Sequence, residues 1–217
     1  MKFNPEADFL YRDDCLAVVN KNFAMPVHRT VDAARPNLHD LIEKHLNKKV
    51  VLFHRLDRDT TGCIVIGLNP KINKAMSEVF LERKIKKTYR LLCEGRWLPE
   101  WRQVESFIGK KHGGHWDNFE RKNKKNLYAS THFKVLKSNG QQSLLEAELE
   151  TGRTHQIRLH CKKMQHPIVN DPLYGKVSPQ GIPIYLHAQS VVFPHPLTQK
   201  ALKIEAPLPE HWNFVKI

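Results

Sequence analysis

Two short segments of the 217-residue chain concentrate the residue types that do chemistry. The first is His54-Arg55-Leu56-Asp57-Arg58-Asp59-Thr60-Thr61-Gly62, set between the apolar runs at 50–53 and 63–68. Paired aspartates and arginines at a strand–loop–strand junction suit general acid–base or nucleophilic work, because a loop held by two strands can bring polar groups to one point. The plain alternative is a solvated turn with surface ion pairs. The second segment is Thr151-Gly152-Arg153-Thr154-His155-Gln156-Ile157-Arg158-Leu159-His160, which follows a strand and opens a helix. Gly152 permits the turn, and the free N–H groups of a helix start, beside Arg153 and His155, favour an anion such as phosphate. An ordinary capped helix with basic residues fits the same pattern. The segment does not match the Gly-x-x-x-x-Gly-Lys-Ser/Thr loop, so nucleotide triphosphatase chemistry is not supported.

These segments need a frame, and the apolar periodicity supplies one. Residues 8–20 read as two short strands with Asp13-Asp14 as the turn, and 21–37 as a loop. Asn37 caps a short helix. Residues 50–53 form a strand, and the β-rich run at 63–68 follows the polar loop. Asn69-Pro70 starts an amphipathic helix over 70–84 that carries Ile72, Met76, Val79 and Phe80. Strands are expected at 87–94, 102–108, 127–137, 143–150, 184–193 and 200–205. Thr154 is the expected cap of a helix over 155–164. Many strands with few helices, not strictly alternating, give an α+β class with a mixed or antiparallel sheet in one domain over 8–210. Residues 109–126 show no apolar period and hold six Lys/Arg against two acids, which reads as a long exposed loop.

Charge narrows the partner. Lys plus Arg is 35 and Asp plus Glu 22, a formal net charge of +13. So basic a chain points to a polyanion, nucleic acid first. No apolar run approaches the ~20 residues of a membrane span, and the first eight residues lack an apolar signal core, so a soluble cytoplasmic monomer is expected, with no membrane contact. Cys15, Cys63, Cys93 and Cys161 are far apart, without a C-x-x-C pair, and read as buried reduced thiols. His112 and His115 have metal-ligand spacing but no partnering ligands, so no metal is expected.

Taken together, the segments resemble the RluA family of pseudouridine synthases. His54 to Gly62 resembles its catalytic motif, and Thr151 to His160 its second signature. Asp13 to Lys21 is similar to its first strand pair, Lys86-Lys87-Thr88-Tyr89 to its tyrosine-bearing strand, and His166 to Gly175 with Leu186-His187-Ala188 to its C-terminal part. There are two departures. The family's Lys-Pro-x-Gly is Lys21-Asn22-Phe23-Ala24 here, and its Gly-Asp is Asn170-Asp171. No small RNA-binding module of the S4 type is expected before the domain.

The resemblance implies the pseudouridine synthase fold, an RNA substrate (rRNA or tRNA), and uridine isomerisation without cofactor or metal. It assigns the reacting carboxylate to Asp57, acting at C1′ or C2′ of the sugar, with Asp59 as a structural neighbour. It assigns the stacking ring to Tyr89, and to Arg158 the cation that keeps the carboxylate ionised. The target base must be flipped out of its stack, with Arg55 taking its place and His54 beside it. Arg83, Lys86 and Lys87 around Tyr89, with Lys110 and Lys111 of the 109–126 segment and Arg153 and His155, would grip phosphates. Trp116 and Phe119 could stack on bases. The competing reading is an RNA-binding assembly factor or chaperone on the same fold.

Overall fold

The computed structural model describes residues 3–30, 32, 34–176 and 182–215; within the expected 21–37 loop, residues 31 and 33 lie outside these. Contacts divide the chain into two compact units, one of Met1–Lys87 with His187–Glu210, the other of Thr88–Leu186 with His211–Ile217.

In the first unit, α1 (Pro5–Asp8), capped by Asn4, precedes the hairpin β1 (Phe9–Arg12) and β2 (Leu16–Lys21). Asp13 makes the turn: its Oδ1 accepts the Cys15 and Leu16 N–H groups at 2.7 and 2.8 Å, and its Oδ2 accepts the Tyr11 hydroxyl at 2.6 Å. α2 (Leu38–Leu46) starts at Asn37, whose side chain accepts from Asp40 N–H, as expected. β3 (Val51–Leu52) and β4 (Thr61–Gly67) flank the polar loop. A 3-10 turn at Pro70–Ile72 leads into α3 (Asn73–Leu81).

β2 and β3 pair antiparallel with β4, which pairs parallel with the start of β10 (Leu186–Pro194); β11 (Ala201–Glu205) folds back on β10. This sheet is therefore mixed. Every residue of β4 is buried, which is why 63–68 reads as a continuous apolar run rather than an alternating one. Leu16, Val18, Cys63 and Val65 pack with Ile72, Met76 and Val79 from the helical segment and Val191 and Phe193 from β10.

The second unit is an antiparallel sheet in the order β5 (Lys86–Glu94, from Thr88 onward), β9 (Gln142–Leu149), β8 (Asn126–Ser138), β6 (Trp101–Lys110), β7 (Trp116–Phe119). α4 (Gln156–Lys163) lies over it. Leu159 of α4 packs on Ile108 and Ala129, with Trp116 and Tyr174 against them.

Two expectations are corrected here. The 109–126 segment is a β-hairpin rather than a loop: β6 runs through Lys110, and Lys110 pairs with Trp116 and Phe107 with Phe119. Its order comes from cross-strand pairing, which its own sequence pattern does not carry. Thr154 is not the cap of α4. The residue before the helix is His155, in the left-handed region at φ +57° and without a side-chain cap. The Gln156 carboxamide instead braces the turn that leads into the helix. Its oxygen accepts Arg153 N–H at 3.0 Å and the Thr151 hydroxyl at 2.6 Å, and its nitrogen donates to Ser130 O and Thr131 Oγ1 at 2.9 Å each. Among the described residues, no helix is long and apolar enough to cross a membrane.

Candidate active site

In the first unit the polar loop is organised from beneath by Lys21. This side chain is fully buried, and its ammonium donates to three backbone oxygens: Asn22 at 3.0 Å, Met25 at 2.9 Å and Arg58 at 2.8 Å. The last lies one residue after Asp57, so Lys21 ties β2 to the turn that Thr60 N–H closes on Asp57 O at 3.2 Å. Burial pushes the Lys21 ammonium down to about 7, against the pull of the Asp59 and Asp57 carboxylates. The three carbonyls are the compensation such a group needs.

The two aspartates are placed differently. Asp59 is buried, and its carboxylate takes the Arg58 guanidinium at 2.9 and 3.0 Å. Asp57 is half-buried, and Arg55 is exposed. At the loop's end Gly62 sits at φ +105°, and a Cβ there would come 2.2 Å from Ala188 O, so only glycine lets β10 approach. Thr61 Oγ1 meets His187 Nδ1 at 2.8 Å on the same join.

His54 serves the frame. Its Nε2 accepts Val65 N–H at 2.8 Å, and its ring stacks on Phe80 at 5.3 Å. Desolvation, then the Lys87 charge, push the imidazole down to about 3, so it stays neutral. Burial also lowers the Lys87 ammonium. Arg83, at φ +58° after α3, and Lys86 are exposed on the connection into β5.

In the second unit Arg158 is 2% exposed and reaches the fully buried Asp171 through a two-pronged ion pair, Nε to Oδ2 at 2.8 Å and Nη2 to Oδ1 at 2.7 Å. Asp171 Oδ1 also accepts Leu173 and Tyr174 N–H at 2.9 and 3.1 Å. Tyr89 is buried on β5 opposite Ala147. His155 Nδ1 meets the Tyr174 hydroxyl at 2.8 Å, and Arg153 Nε donates to Tyr128 O at 3.0 Å. Lys110 lies 5.5 Å over the Trp116 ring, while Lys111 pairs with Asp117. The loop residues His54, Arg55 and Asp57 are thus gathered in the first unit, and His155 and Arg158 at the start of α4 in the second. Arg153 and Lys111 are held by other partners.

Lys21, Asp171 and Gln156 are the residues with supporting roles that sequence reasoning left without one. The departures from the family pattern explain themselves in backbone terms. Ala24 has φ +58° and Asn170 φ +62°, and each stands where the family has glycine. Asparagine tolerates this region better than most residues, and alanine occupies it at a cost of about 1 kcal/mol.

The family model for RNA pseudouridylate synthase matches residues 15–163. The uncharacterized RNA pseudouridine synthase YhcT of Bacillus subtilis (strain 168) is 35% identical over 211 residues, covering 94% of this chain and 69% of that protein. Ribosomal large subunit pseudouridine synthase C of Pasteurella multocida (strain Pm70) is 30% identical, over 94% of this chain and 65% of that one. The solved structure of human RNA pseudouridylate synthase domain containing 4 superposes with a TM-score of 0.76 at 25% identity, covering 95% of this chain and 90% of that chain. A match running through residues of both units, and a relative more than a third identical along nearly the whole length, place the chain in the RNA pseudouridylate synthase family of enzymes, of the RluA type.

Proposed function

We propose that this chain isomerises uridine within structured RNA, rRNA or tRNA, through Asp57. The N1–C1′ bond breaks and a C5–C1′ bond forms; the proton on C5 is lost and N1 is protonated, so the product is an isomer and no oxidant or reductant enters. The carboxylate acts at C1′ as nucleophile or at C2′ as base. The observation that carries this reading is the clamp under the loop. Lys21 fixes the carbonyl next to Asp57, while Asp59 is taken by Arg58. Asp57 thus stands on a turn pinned at the carbonyl of its neighbour, Arg58.

The other roles follow the family resemblance. Tyr89 stacks on the uracil, and Arg158, oriented by Asp171, supports the ionised carboxylate. Arg55, exposed beside Asp57, fills the gap left by the flipped base, while His54 acts through the loop it holds. Exposed Arg83, Lys86 and Lys110 meet phosphates. Tritium release from RNA labelled at uridine C5 tests the proposal. Asp57→Asn should abolish release while RNA affinity stays within several-fold, because affinity rests on phosphate contacts. Release by the variant above a few per cent of wild type would remove Asp57 from the role.

A further inference from the structure

A surface cleft of about 270 Å³ opens in the second unit, between the β6–β7 hairpin, α4 and the turn at Leu173-Tyr174. Its side-chain lining is His115, Trp116, His155, Lys162, Leu173 and Tyr174. The two aromatic rings are fixed. The Tyr174 hydroxyl meets His155 Nδ1 at 2.8 Å and donates to Trp116 O at 3.3 Å, and both rings pack on Ile108, Ala129 and Leu159. Leu173 at the rim is 60% exposed and gives the cleft an aliphatic edge. Lys162 stands 5.5 Å over the Tyr174 ring, its ammonium reaching Asp117 only at 3.5 Å, and Asp117 is already shared with Lys111. The wall thus combines rigid rings, an aliphatic rim, two imidazoles and an ammonium, with cationic charge in excess.

We propose that this cleft seats one unpaired nucleotide of the RNA, its base against Trp116 and Leu173 and its phosphate on Lys162. The inference rests on the reading of the substrate as RNA. The volume sets the ligand's size: it falls below the ~300–1,000 Å³ of drug-sized pockets, so one base with its sugar or phosphate fits and a length of strand does not. The concavity sets its state. A base enters only when unstacked, which single-stranded loops and bulges offer and a duplex does not. The rings need no sequence readout, since every base has a face to stack.

Titration of the full chain with tetrauridylate tests this, followed by the indole N–H resonance of Trp116, assigned by its loss in Trp116→Phe. The resonance should shift on titration. Leu173→Glu, which places an anion on an exposed rim, should weaken binding about tenfold, and so should Lys162→Gln. A stable RNA duplex of about ten base pairs should bind Leu173→Glu and wild type alike. Unchanged tetrauridylate affinity in both variants, or an equal loss for duplex and single strand, would overturn the cleft. So would a shift produced by unrelated basic or apolar peptides but not by tetrauridylate. If Leu173→Glu fails to fold, Lys162→Gln gives the same reading. Tritium release with no effect of either variant would sink the cleft and leave the proposed activity standing; tetrauridylate seated in a chain that releases no tritium would do the reverse.

Discussion

Lys21→Met should erase a pH dependence of stability that the wild-type chain carries. In the unfolded chain this lysine titrates at its ordinary 10.5, and in the folded chain at about 7. Between those values the unfolded state holds the extra proton, so stability must rise with pH. The cost of burying the ammonium is fully present below pH 7 and fades toward 10.5. A difference of about 3.5 pKa units, at 1.36 kcal/mol each, makes it about 5 kcal/mol in all, of which about 2–3 kcal/mol is relieved between pH 7 and 9. Methionine has no proton to exchange, so its curve lacks this slope. At pH 7 the variant should still be less stable than wild type, because the Asn22, Met25 and Arg58 oxygens lose their donor. Urea unfolding of both proteins at pH 7, 8 and 9 gives the comparison, and groups common to the two, such as the buried cysteines, cancel. Curves that stay parallel to within about 0.5 kcal/mol would show that the three carbonyls hold Lys21 charged throughout, and would refute the argument.

Ala24→Gly should stabilise the chain by about 1 kcal/mol, read as a raised urea midpoint, since φ +58° suits glycine and strains alanine. Asp171→Asn should cost about 3–5 kcal/mol in the same assay, because it leaves the Arg158 guanidinium buried opposite a neutral amide. Gln for Lys at 110, 122, 124 and 125 should flatten the slope of log affinity against log salt, by roughly 0.7–0.9 for each lysine that meets a phosphate; an unchanged slope would make the hairpin a solvated charge run. Gly62→Ala should prevent a stable fold, visible as loss of cooperative melting, since its Cβ would strike the Ala188 carbonyl.

The strands and helices that were legible carry their own period: alternation or continuous burial in the strands, and Ile72, Met76 and Val79 along one helical face. The Asp57 loop was legible because two aspartates and two arginines seldom crowd one junction without cause. What stayed hidden depends on partners distant in sequence. Lys21 finds an acceptor 37 residues away, and Arg158 a carboxylate 13 residues on. The hairpin at 109–126 is ordered by strand pairing and by anchors such as Asn118 Nδ2 to Leu159 O at 2.8 Å, which no local pattern announces. Thr154 looked like a cap by type, but a left-handed residue, His155, stands between it and the first helical residue.

The joining of Thr61-Gly62 to His187-Ala188 also sets a schedule for synthesis. The first unit is discontinuous: its share of the N-terminal chain ends at Lys87, and its second segment, which carries its last two strands, begins only at His187. At translation speeds of roughly 5–20 residues per second, the hundred residues between them take roughly 5–20 s to emerge. Throughout that interval β4, whose seven residues are all destined for burial, has no β10 along its parallel edge. An unpaired apolar edge is a template for the wrong strand, from a neighbouring nascent chain or from this one. The polypeptide is therefore most vulnerable to aggregation while it is still on the ribosome, and it leaves that state only when residues near its C-terminus close the sheet that its N-terminus began.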